Sequence, residues 1–400
     1  IKVDREERPD VDSVYMTAVN LLTGRGGWPM TVIMTPDKEP FFGGTYFPPR
    51  PGVRGARTGL VDILNEMGAR YRDDPGSVAA RAQEVSQQVE RASFLQPGPG
   101  VPSDTTIVVA TSQLAARFDR IDGGFSGAPK FPQPARLTLL LRYARRSGDR
   151  GAAAMVMTTL DRMAAGGIYD HVGGGFHRYS TDAQWLVPHF EKMLYDNALL
   201  ARAYAHAAEL TGDASYAYFA RETLDFVAHE MRNPPGGAFA ASLDADTEGE
   251  EGKTYTWDAA EIREILGDEA QLFEDAYGVT DGGNWEGRTI LNRTRGDTDL
   301  AVEHERPRDE IAETLAQART ELLRARDERP QPARDDKVLT AWNGLMIGAF
   351  ADAGRALSEP AFVRIATEAA DFILAELRAP EAEPDAEAEP DAGAEPETEA

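Results

Sequence analysis

One segment of this chain concentrates side chains that could do acid/base chemistry. The stretch 166–200 holds His171, His177 and His189, half of the six histidines in the chain, together with four carboxylates around a triple-glycine turn. Imidazole titrates near neutral pH, and a positioned carboxylate can donate or accept a proton beside it. This density of titratable groups predicts a functional site.

Two groups of residues in and around this segment are candidates for catalysis and for binding. Glycine permits close backbone approach, aromatic rings can stack on a sugar face, and Arg, His or Asp can bond hydroxyl groups. The candidate substrate-binding residues are Arg178, Tyr179, Trp185, Lys192, Trp257 and Trp285. The candidate catalytic residues are His177, His189, Asp182, Glu191, Asp244 and Asp246. The alternative is a structured loop whose polar groups satisfy one another.

A helix is expected to begin near Pro188, because proline is favoured in the first turn. His189, Lys192 and Asp196 would then share one helix face. Lys192 and Asp196 favour an i, i+4 ion pair, which leaves His189 and Glu191 as the better acid/base candidates.

An acidic loop follows later in the chain. Asp244, Asp246 and Glu248 match the first, third and fifth places of a calcium-binding loop, but Tyr255 stands where the bidentate glutamate belongs. We therefore expect a solvated loop between two strands, 238–242 and 253–257. No histidine spacing typical of zinc occurs, and we predict no metal or cofactor.

Composition excludes several classes of protein. A net charge of −25 with six lysines and no basic cluster argues against nucleic acid or anionic membrane as partners. The chain has no cysteine, which excludes thiol redox chemistry in these residues, and no apolar run long enough to span a membrane.

An acidic, lysine-poor surface is typical of a cytoplasmic protein adapted to high salt. The chain starts at Ile1, and we expect a piece of a longer protein.

The pattern of apolar residues divides the chain into four parts. Residues 1–95 read as mixed α/β, 96–103 as a linker, 104–379 as almost entirely helical and 380–400 as a disordered acidic tail. In the first part we predict strands and helices at 1–4, 9–22, 31–35, 40–43, 59–71 and 76–92. In the helical part we predict helices at 105–118, 134–147, 151–165, 189–211, 214–232, 258–277, 307–327, 337–357 and 359–378.

A glycine-aromatic turn recurs between these helices. It occurs at 122–125, 173–176, 236–239 and 281–285. The spacing fits one helical hairpin plus a long loop per unit, which predicts a toroid of helix pairs with its loops gathered at one end. An ordinary helical bundle with glycine-containing loops is the alternative.

Several long motifs resemble the thioredoxin-domain family related to spermatogenesis-associated protein 20. They are KVDREERPDVDSVYM, GGWPMTVIMTPDKEPFFGGTYFPP, GGFSGAPKFPQP, the 166–200 segment, SLDADTEGEEGKTYTW and NWEGRTILN. The resemblance implies an α/β thioredoxin-like N-terminal part followed by an (α/α)6 toroid of the six-hairpin glycosidase type. It also places Trp28-Pro29 at the cis-proline of thioredoxin-like folds.

This chain departs from the family pattern at both ends. The family's Cys-x-x-Cys segment precedes the first residues here, and about nine predicted helices stand where a closed toroid needs twelve. We therefore expect both domains to be truncated.

The resemblance and the candidate residues together favour a carbohydrate-acting protein. For a sugar epimerase or isomerase, His177 and His189 would move a proton beside a carbonyl. For a glycosidase-like enzyme, the acid and base would come from Asp182, Glu191, Asp244 and Asp246. The alternatives are a thioredoxin-like redox or chaperone protein in its complete form, or a catalytically silent fragment. The expected partner is a small-molecule or carbohydrate substrate.

Overall fold

The computed structural model describes residues 1–53, 57–94, 103–233 and 237–378. These form two compact units, Ile1–Pro102 and Ser103–Ala400. The predicted acidic tail and all but the last residue of the predicted linker lie outside the described residues. The predicted domain boundaries therefore remain predictions.

The N-terminal unit is a β-hairpin packed with three helices. Its elements are α1 (Pro9–Thr23), β1 (Thr31–Met34), β2 (Pro40–Gly44), α2 (Leu60–Asp73) and α3 (Pro75–Ser93). The hairpin packs with α1 and α3, and Ala18, Val85 and Val89 form their shared core. The Trp28-Pro29 peptide is cis, as predicted. Residues 1–4 are irregular, so the predicted first strand is wrong.

The second unit is mostly helical, with very short strands in its loops. Its helices are α4 (Asp104–Arg117), α5 (Pro134–Ser147), α6 (Arg150–Ala165), α7 (Leu194–Thr211), α8 (Ala214–Phe226), α9 (Ala259–Leu266), α10 (Ala270–Tyr277), α11 (Asp297–Glu303), α12 (Arg308–Asp327), α13 (Thr340–Ala356) and α14 (Pro360–Glu376). Its strands are β3 (Tyr179–Ser180), β4 (Pro188–His189), β5 (Lys192–Met193), β6 (Ser242–Leu243), β7 (Asp246–Thr247), β8 (Glu250–Glu251) and β9 (Arg334–Asp335).

Neighbouring helices in the sequence pack as pairs in this unit. The pairs are α5 with α6, α7 with α8 and α13 with α14, and α7 also packs against α5 and α13. Leu160, Leu200 and Phe350 are fully buried in the core that these helices share. Hairpins set side by side in this way are the arrangement expected of an α/α toroid-type domain. In the part of the chain that is described, no helix is long and apolar enough to cross a membrane.

Two of the glycine-aromatic turns are held by the same asparagine clamp. The side chain of Asn197 accepts the N–H of Phe176 at 2.7 Å and donates to its carbonyl at 3.1 Å. Asn343 does the same for Phe239, at 2.8 and 3.0 Å. Each phenylalanine stacks on the ring seven residues after its asparagine, Tyr204 in one case and Phe350 in the other.

The structure corrects several predicted element boundaries. The helix expected at 189–211 begins at Leu194, because residues 188–189 and 192–193 pair as strands with other loops. The helix expected at 258–277 is broken at Gly267, whose φ of 55° does not continue a helix. The α-helix expected at 214–232 ends at Phe226 and continues as one π turn. Helix α11 was not predicted.

Candidate functional site

Short antiparallel ladders fix the loops that carry the candidate residues. Strand β3 pairs with β4, so that Tyr179 lies opposite His189. Strand β5 pairs with β6, and β6 pairs with β9, which joins the start of α7 to two loops from later in the chain. The acidic loop folds on itself as the hairpin of β7 and β8. The predicted strands 238–242 and 253–257 are reduced to Ser242–Leu243 and two isolated bridges, at Phe239 and at Trp257.

Four partly exposed side chains form a cluster that we call the open cluster: Arg178, His189, Glu191 and Glu251. Their side chains are 27%, 29%, 23% and 43% exposed. Nδ1 of His189 lies 2.6 Å from Oε1 of Glu251, and Nη1 of Arg178 donates to Oε2 of Glu191 at 2.6 Å. Water and a small ligand can therefore reach charged groups that are already held in place.

The pairing with Glu251 sets the proton positions on His189. An ionised carboxylate only accepts hydrogen bonds, so Nδ1 carries the proton that it donates to Glu251. In the neutral imidazole, Nε2 is then free to accept a proton, and it lies 3.7 Å from Oε2 of Glu191. The ring also stacks on Tyr179, with centroids 5.1 Å apart. A carboxylate and a flanking ring thus fix the orientation of His189, an arrangement that would suit a general base.

A hydrogen-bonded chain leads from the open cluster to a buried acid. Arg178 bonds both Glu191 and Tyr195, and the Tyr195 hydroxyl bonds Asp196. Burial raises the pKa of Asp196 to about 8, although the Arg178 charge and the Tyr195 bond oppose the shift. Oδ2 of Asp196 and Nε of Arg178 are buried without a hydrogen-bond partner among the described residues. Near neutral pH, burial therefore favours the protonated form of Asp196.

Trp342 provides an aromatic surface next to this chain. Its ring meets Tyr195 edge-on, with centroids 4.7 Å apart, and the residue is half-buried. Neither Trp342 nor Tyr195 was among the predicted binding residues. A half-exposed indole beside polar groups is the usual platform for an apolar sugar face.

A second cluster, which we call the sealed cluster, is made of Asp170, Lys192 and Arg326. Their side chains are 5%, 1% and 8% exposed. Asp170 accepts from Nζ of Lys192 at 2.7 Å and from Nη1 of Arg326 at 2.8 and 2.9 Å. The predicted ion pair between Lys192 and Asp196 is therefore wrong. It presupposed a helix that includes residue 192, whereas Lys192 lies on β5.

In the sealed cluster, burial and the neighbouring charges shift the pKa values of the side chains in opposite directions. Burial alone would raise the pKa of Asp170, but the charges of Arg326 and Lys192 outweigh it and hold the pKa well below its usual value. Burial lowers the pKa of Lys192 to about 8 despite Asp170. The cluster joins Asp170 and Lys192 to Arg326 from much later in the chain. Lys192 is 1% exposed, which does not support its assignment as a binding residue.

Two of the predicted catalytic residues, His177 and Asp182, form hydrogen bonds with the backbone. His177 is 1% exposed, and its Nδ1 donates to the carbonyl of Phe190 at 2.9 Å. Burial, helped by the Lys192 charge, lowers the pKa of His177 to about 3. Asp182 accepts three backbone N–H groups of its own loop at 2.5 to 3.2 Å. These contacts correct both assignments, because a sealed neutral imidazole and a loop-bracing carboxylate do not reach substrate.

Two of the predicted tryptophan platforms lie in the core. Trp185 is fully buried, and its indole N–H donates to the carbonyl of Asp122 at 2.7 Å. Trp257 is also fully buried, with the guanidinium of Arg329 3.8 Å above its ring. Both assignments as binding residues are therefore corrected. Trp285 is half-buried and packs against Phe190, with centroids 5.4 Å apart.

The acidic loop brings its carboxylates to the surface without gathering them into a metal site. Asp244 and Asp246 are exposed, and the N–H of Asp246 donates to Asp244 at 3.2 Å. Glu251, from the same loop, is the residue that reaches His189. Within the described ranges, no group of three or more His, Asp or Glu side chains could hold a metal ion.

An internal repeat was the sequence signal for the residues that the predictions missed. The segment 197–213, NALLARAYAHAAELTGD, aligns with 343–359, NGLMIGAFADAGRALSE, without gaps. The alignment pairs Asn197 with Asn343 and places Tyr195 and Trp342 just before them. It therefore pointed to the starts of α7 and α13 as equivalent positions, and the rings of Tyr195 and Trp342 are in contact there.

Comparison with solved structures gives distant matches that cover part of this chain. A sugar epimerase from a ruminal bacterium is 12% identical with a TM-score of 0.32, over 68% of this chain and 86% of that one. A family 76 glycoside hydrolase from a bovine Bacteroides thetaiotaomicron strain is 13% identical with a TM-score of 0.29, over 60% and 46%.

Sequence comparison gives much stronger matches. Residues 1–90 match the family described as Thioredox_DsbH, "Protein of unknown function, DUF255". The chain is 39% identical to human spermatogenesis-associated protein 20, over 93% of this chain and 51% of that protein. It is 35% identical to an uncharacterized protein of Caenorhabditis elegans, over 93% and 54%. The chain thus spans about half the length of the curated relatives it matches. It belongs to the thioredoxin-domain family related to spermatogenesis-associated protein 20.

Proposed function

We propose that the helical unit is an acid/base enzyme that epimerises or isomerises a reducing sugar. The observation that carries the proposal is the partly exposed pair of His189 and Glu251, with nitrogen and oxygen 2.6 Å apart. A histidine held in one tautomer by a carboxylate is suited to removing a proton from carbon beside a carbonyl. The raised pKa of Asp196 supports the proposal, because the carbonyl oxygen needs a proton donor.

In this reaction, Nε2 of His189 takes the proton from C2 of the open-chain sugar. The electrons of the C–H bond form a double bond between C1 and C2, and the carbonyl oxygen takes a proton from the hydroxyl of the half-buried Tyr195. Asp196 replaces that proton through its hydrogen bond with Tyr195. Arg178 stabilises the negative charge that develops on the oxygens. For the epimer, rotation about the C2–C3 bond turns the other face of C2 to His189, which returns the proton there while the C1 hydroxyl gives its proton back towards Asp196. For the ketose, His189 returns the proton to C1 and the C2 hydroxyl loses its proton towards Asp196.

The surroundings of the pair suit a polyhydroxyl ligand. Trp342 and Tyr179 present half-buried rings, and Arg178, Glu191 and Glu251 present charged donors and acceptors around them. Aromatic faces bind the C–H side of a sugar ring, while ionised groups bond its hydroxyls. No sugar contact is needed from the fully buried Trp185 or Trp257.

A second candidate reaction is glycoside hydrolysis. It is favoured by the contrast between two carboxyl groups: burial raises the pKa of Asp196 to about 8, whereas Glu191 is paired with Arg178. Two carboxyl groups whose environments separate their protonation states are the requirement for a glycosidase acid and base. The same assay distinguishes the two reactions.

The test is incubation with a panel of aldoses, ketoses and reducing disaccharides in heavy water. Epimerisation or isomerisation places deuterium on C2 or C1, which NMR and mass spectrometry detect, whereas hydrolysis releases monosaccharides without exchange. His189→Asn should lower the exchange rate at least about 100-fold. The matched control is His304→Asn, since His304 also pairs with a carboxylate, Asp275 at 3.0 Å, but lies outside the open cluster.

Two results would contradict the proposal. If no sugar of the panel shows exchange or hydrolysis, both proposed reactions are excluded. Exchange that survives His189→Asn, or that falls equally in His304→Asn, removes the assignment of His189 as the base.

A further inference from the structure

Helix α5 differs in charge from the rest of this acidic chain. It carries four arginines and no acidic residue, whereas the chain as a whole has a net charge of −25. Arg142 and Arg145 of α5 line a surface pocket of about 280 Å³ together with Arg202 and His206 of α7. Positive side chains are therefore concentrated at one place where α5, α7 and α13 meet.

The charges in this pocket are only partly neutralised. Arg202 is paired with Asp352, the acidic residue of the lining, with Nη2 and Oδ2 2.6 Å apart. Arg145 lies 3.8 Å from Glu209, whose carboxylate already holds Arg355 at 2.8 Å. Arg142 makes no ion pair with the residues that the structure describes. The pocket thus retains positive charge on a molecule that otherwise repels anions.

We propose that this pocket binds a small phosphate-bearing ligand, either free phosphate or the monoester of a short carbon compound. Guanidinium groups bind phosphate through paired, charge-assisted hydrogen bonds, and three of them face this pocket. Leu141 and Leu210 complete the lining and would contact a short carbon chain. A volume of about 280 Å³ lies at the small end of the range for ligand pockets, which excludes large ligands.

The pocket is separate from the open cluster, and this proposal does not depend on the proposed function. Arg202 follows Asp196 by six residues on α7, a rise of about 9 Å along the helix. Its side chain faces α13, where Asp352 lies, whereas Asp196 belongs to the chain of bonds from Arg178. Loss of phosphate binding and loss of sugar chemistry can therefore be measured apart.

The experiment is calorimetric titration of the full chain with inorganic phosphate and with glycerol 1-phosphate, at a constant ionic strength set with sodium chloride. Arg142→Gln should weaken binding of phosphate about tenfold, because it removes a charged donor that makes no contact needed for folding. Asp352→Asn should strengthen binding several-fold, since it frees Arg202 and removes the opposing charge. Tighter binding of glycerol 1-phosphate identifies a monoester site, and equal or weaker binding identifies a site for free phosphate.

The matched control is Arg146→Gln, on the same helix. Arg146 pairs with Asp104 at 2.7 Å and does not line this pocket, so the variant changes the net charge equally without changing the site. It should bind phosphate as the unaltered chain does. The proposal is overturned if neither probe binds saturably, if Arg146→Gln weakens binding as much as Arg142→Gln, or if Asp352→Asn weakens it.

Discussion

The sealed and open clusters are built from the same types of residue, yet they are suited to different tasks. Lys192 and Glu191 are neighbours in sequence, and each pairs with an opposite charge at 2.6 to 2.7 Å. In the sealed cluster the exposed fraction of every side chain is below one tenth, whereas in the open cluster it exceeds one fifth. Burial, rather than residue type or spacing, separates a group that holds the fold from one that can meet a substrate.

The largest expected effect on stability comes from replacing Asp170. Asp170→Asn leaves the charges of Lys192 and Arg326 buried without their shared counterion, which should lower the free energy of unfolding by about 3–5 kcal/mol. Glu191→Gln removes a carboxylate of the open cluster, where water screens the remaining charge, and should cost less than about 1 kcal/mol. Denaturant unfolding of both variants measures the difference.

If Asp170→Asn does not fold, Lys192→Met provides the second measurement. It should cost less than Asp170→Asn, because Arg326 and two backbone N–H groups still hold the aspartate. Equal stability losses in Asp170→Asn and Glu191→Gln would show that burial does not distinguish the two clusters.

The next largest expected contrast is between the partly exposed His189 and the buried His177. His189→Asn should reduce sugar proton exchange at least about 100-fold with little loss of stability, because its ring is partly exposed. His177→Asn should leave the reaction nearly unchanged and lower the free energy of unfolding by about 1–3 kcal/mol, because it disturbs a buried hydrogen bond to Phe190. Exchange assays and thermal unfolding of both variants show which histidine acts in the reaction and which one stabilises the fold. A catalytic loss in His177→Asn without a stability loss would reverse the two roles.

The sequence located the candidate site segment but did not separate its residues by role. Residue types and spacing indicated His189 and Glu191, and the glycine-aromatic turns indicated paired helices. Sequence periodicity extended α7 back to residue 189, and that error created the false pair of Lys192 with Asp196. The partners Glu251 and Arg326 come from segments far in sequence from His189 and Asp170, with which they pair. Spacing contains no information on which distant loop will cover a given charge.

Asp170 and Asp196 should respond to pH with opposite signs. The folded-state pKa of Asp196 is about 8, above the unfolded value of 3.8, so its stabilising contribution is complete below about pH 4 and is lost as pH rises towards 8. The pKa of Asp170 is lowered, so its contribution is present above about pH 4 and is lost as pH falls. The Asp196 effect should not exceed about 1.4 kcal/mol per pH unit.

Asp196→Asn isolates this effect, because the amide resembles the protonated acid in size and charge. The variant should lose the decline in stability between about pH 4 and 8 and retain the loss below pH 4 that Asp170 causes. Unfolding free energies measured across this range provide the comparison. A decline above pH 4 that persists unchanged in Asp196→Asn would show that another group causes it.

The smallest expected effect on stability comes from breaking the link between Arg178 and the buried Asp196. Tyr195→Phe removes the hydroxyl that bonds both Arg178 and Asp196, while the edge-on contact with Trp342 remains. Because that bond lowers the pKa of Asp196, its removal should raise the pKa further, and the stability decline should extend upward by less than about one pH unit. The cost in stability should be about 1 kcal/mol. A downward shift would mean that the Tyr195 hydroxyl accepts a hydrogen bond from the protonated acid instead of donating one to the carboxylate.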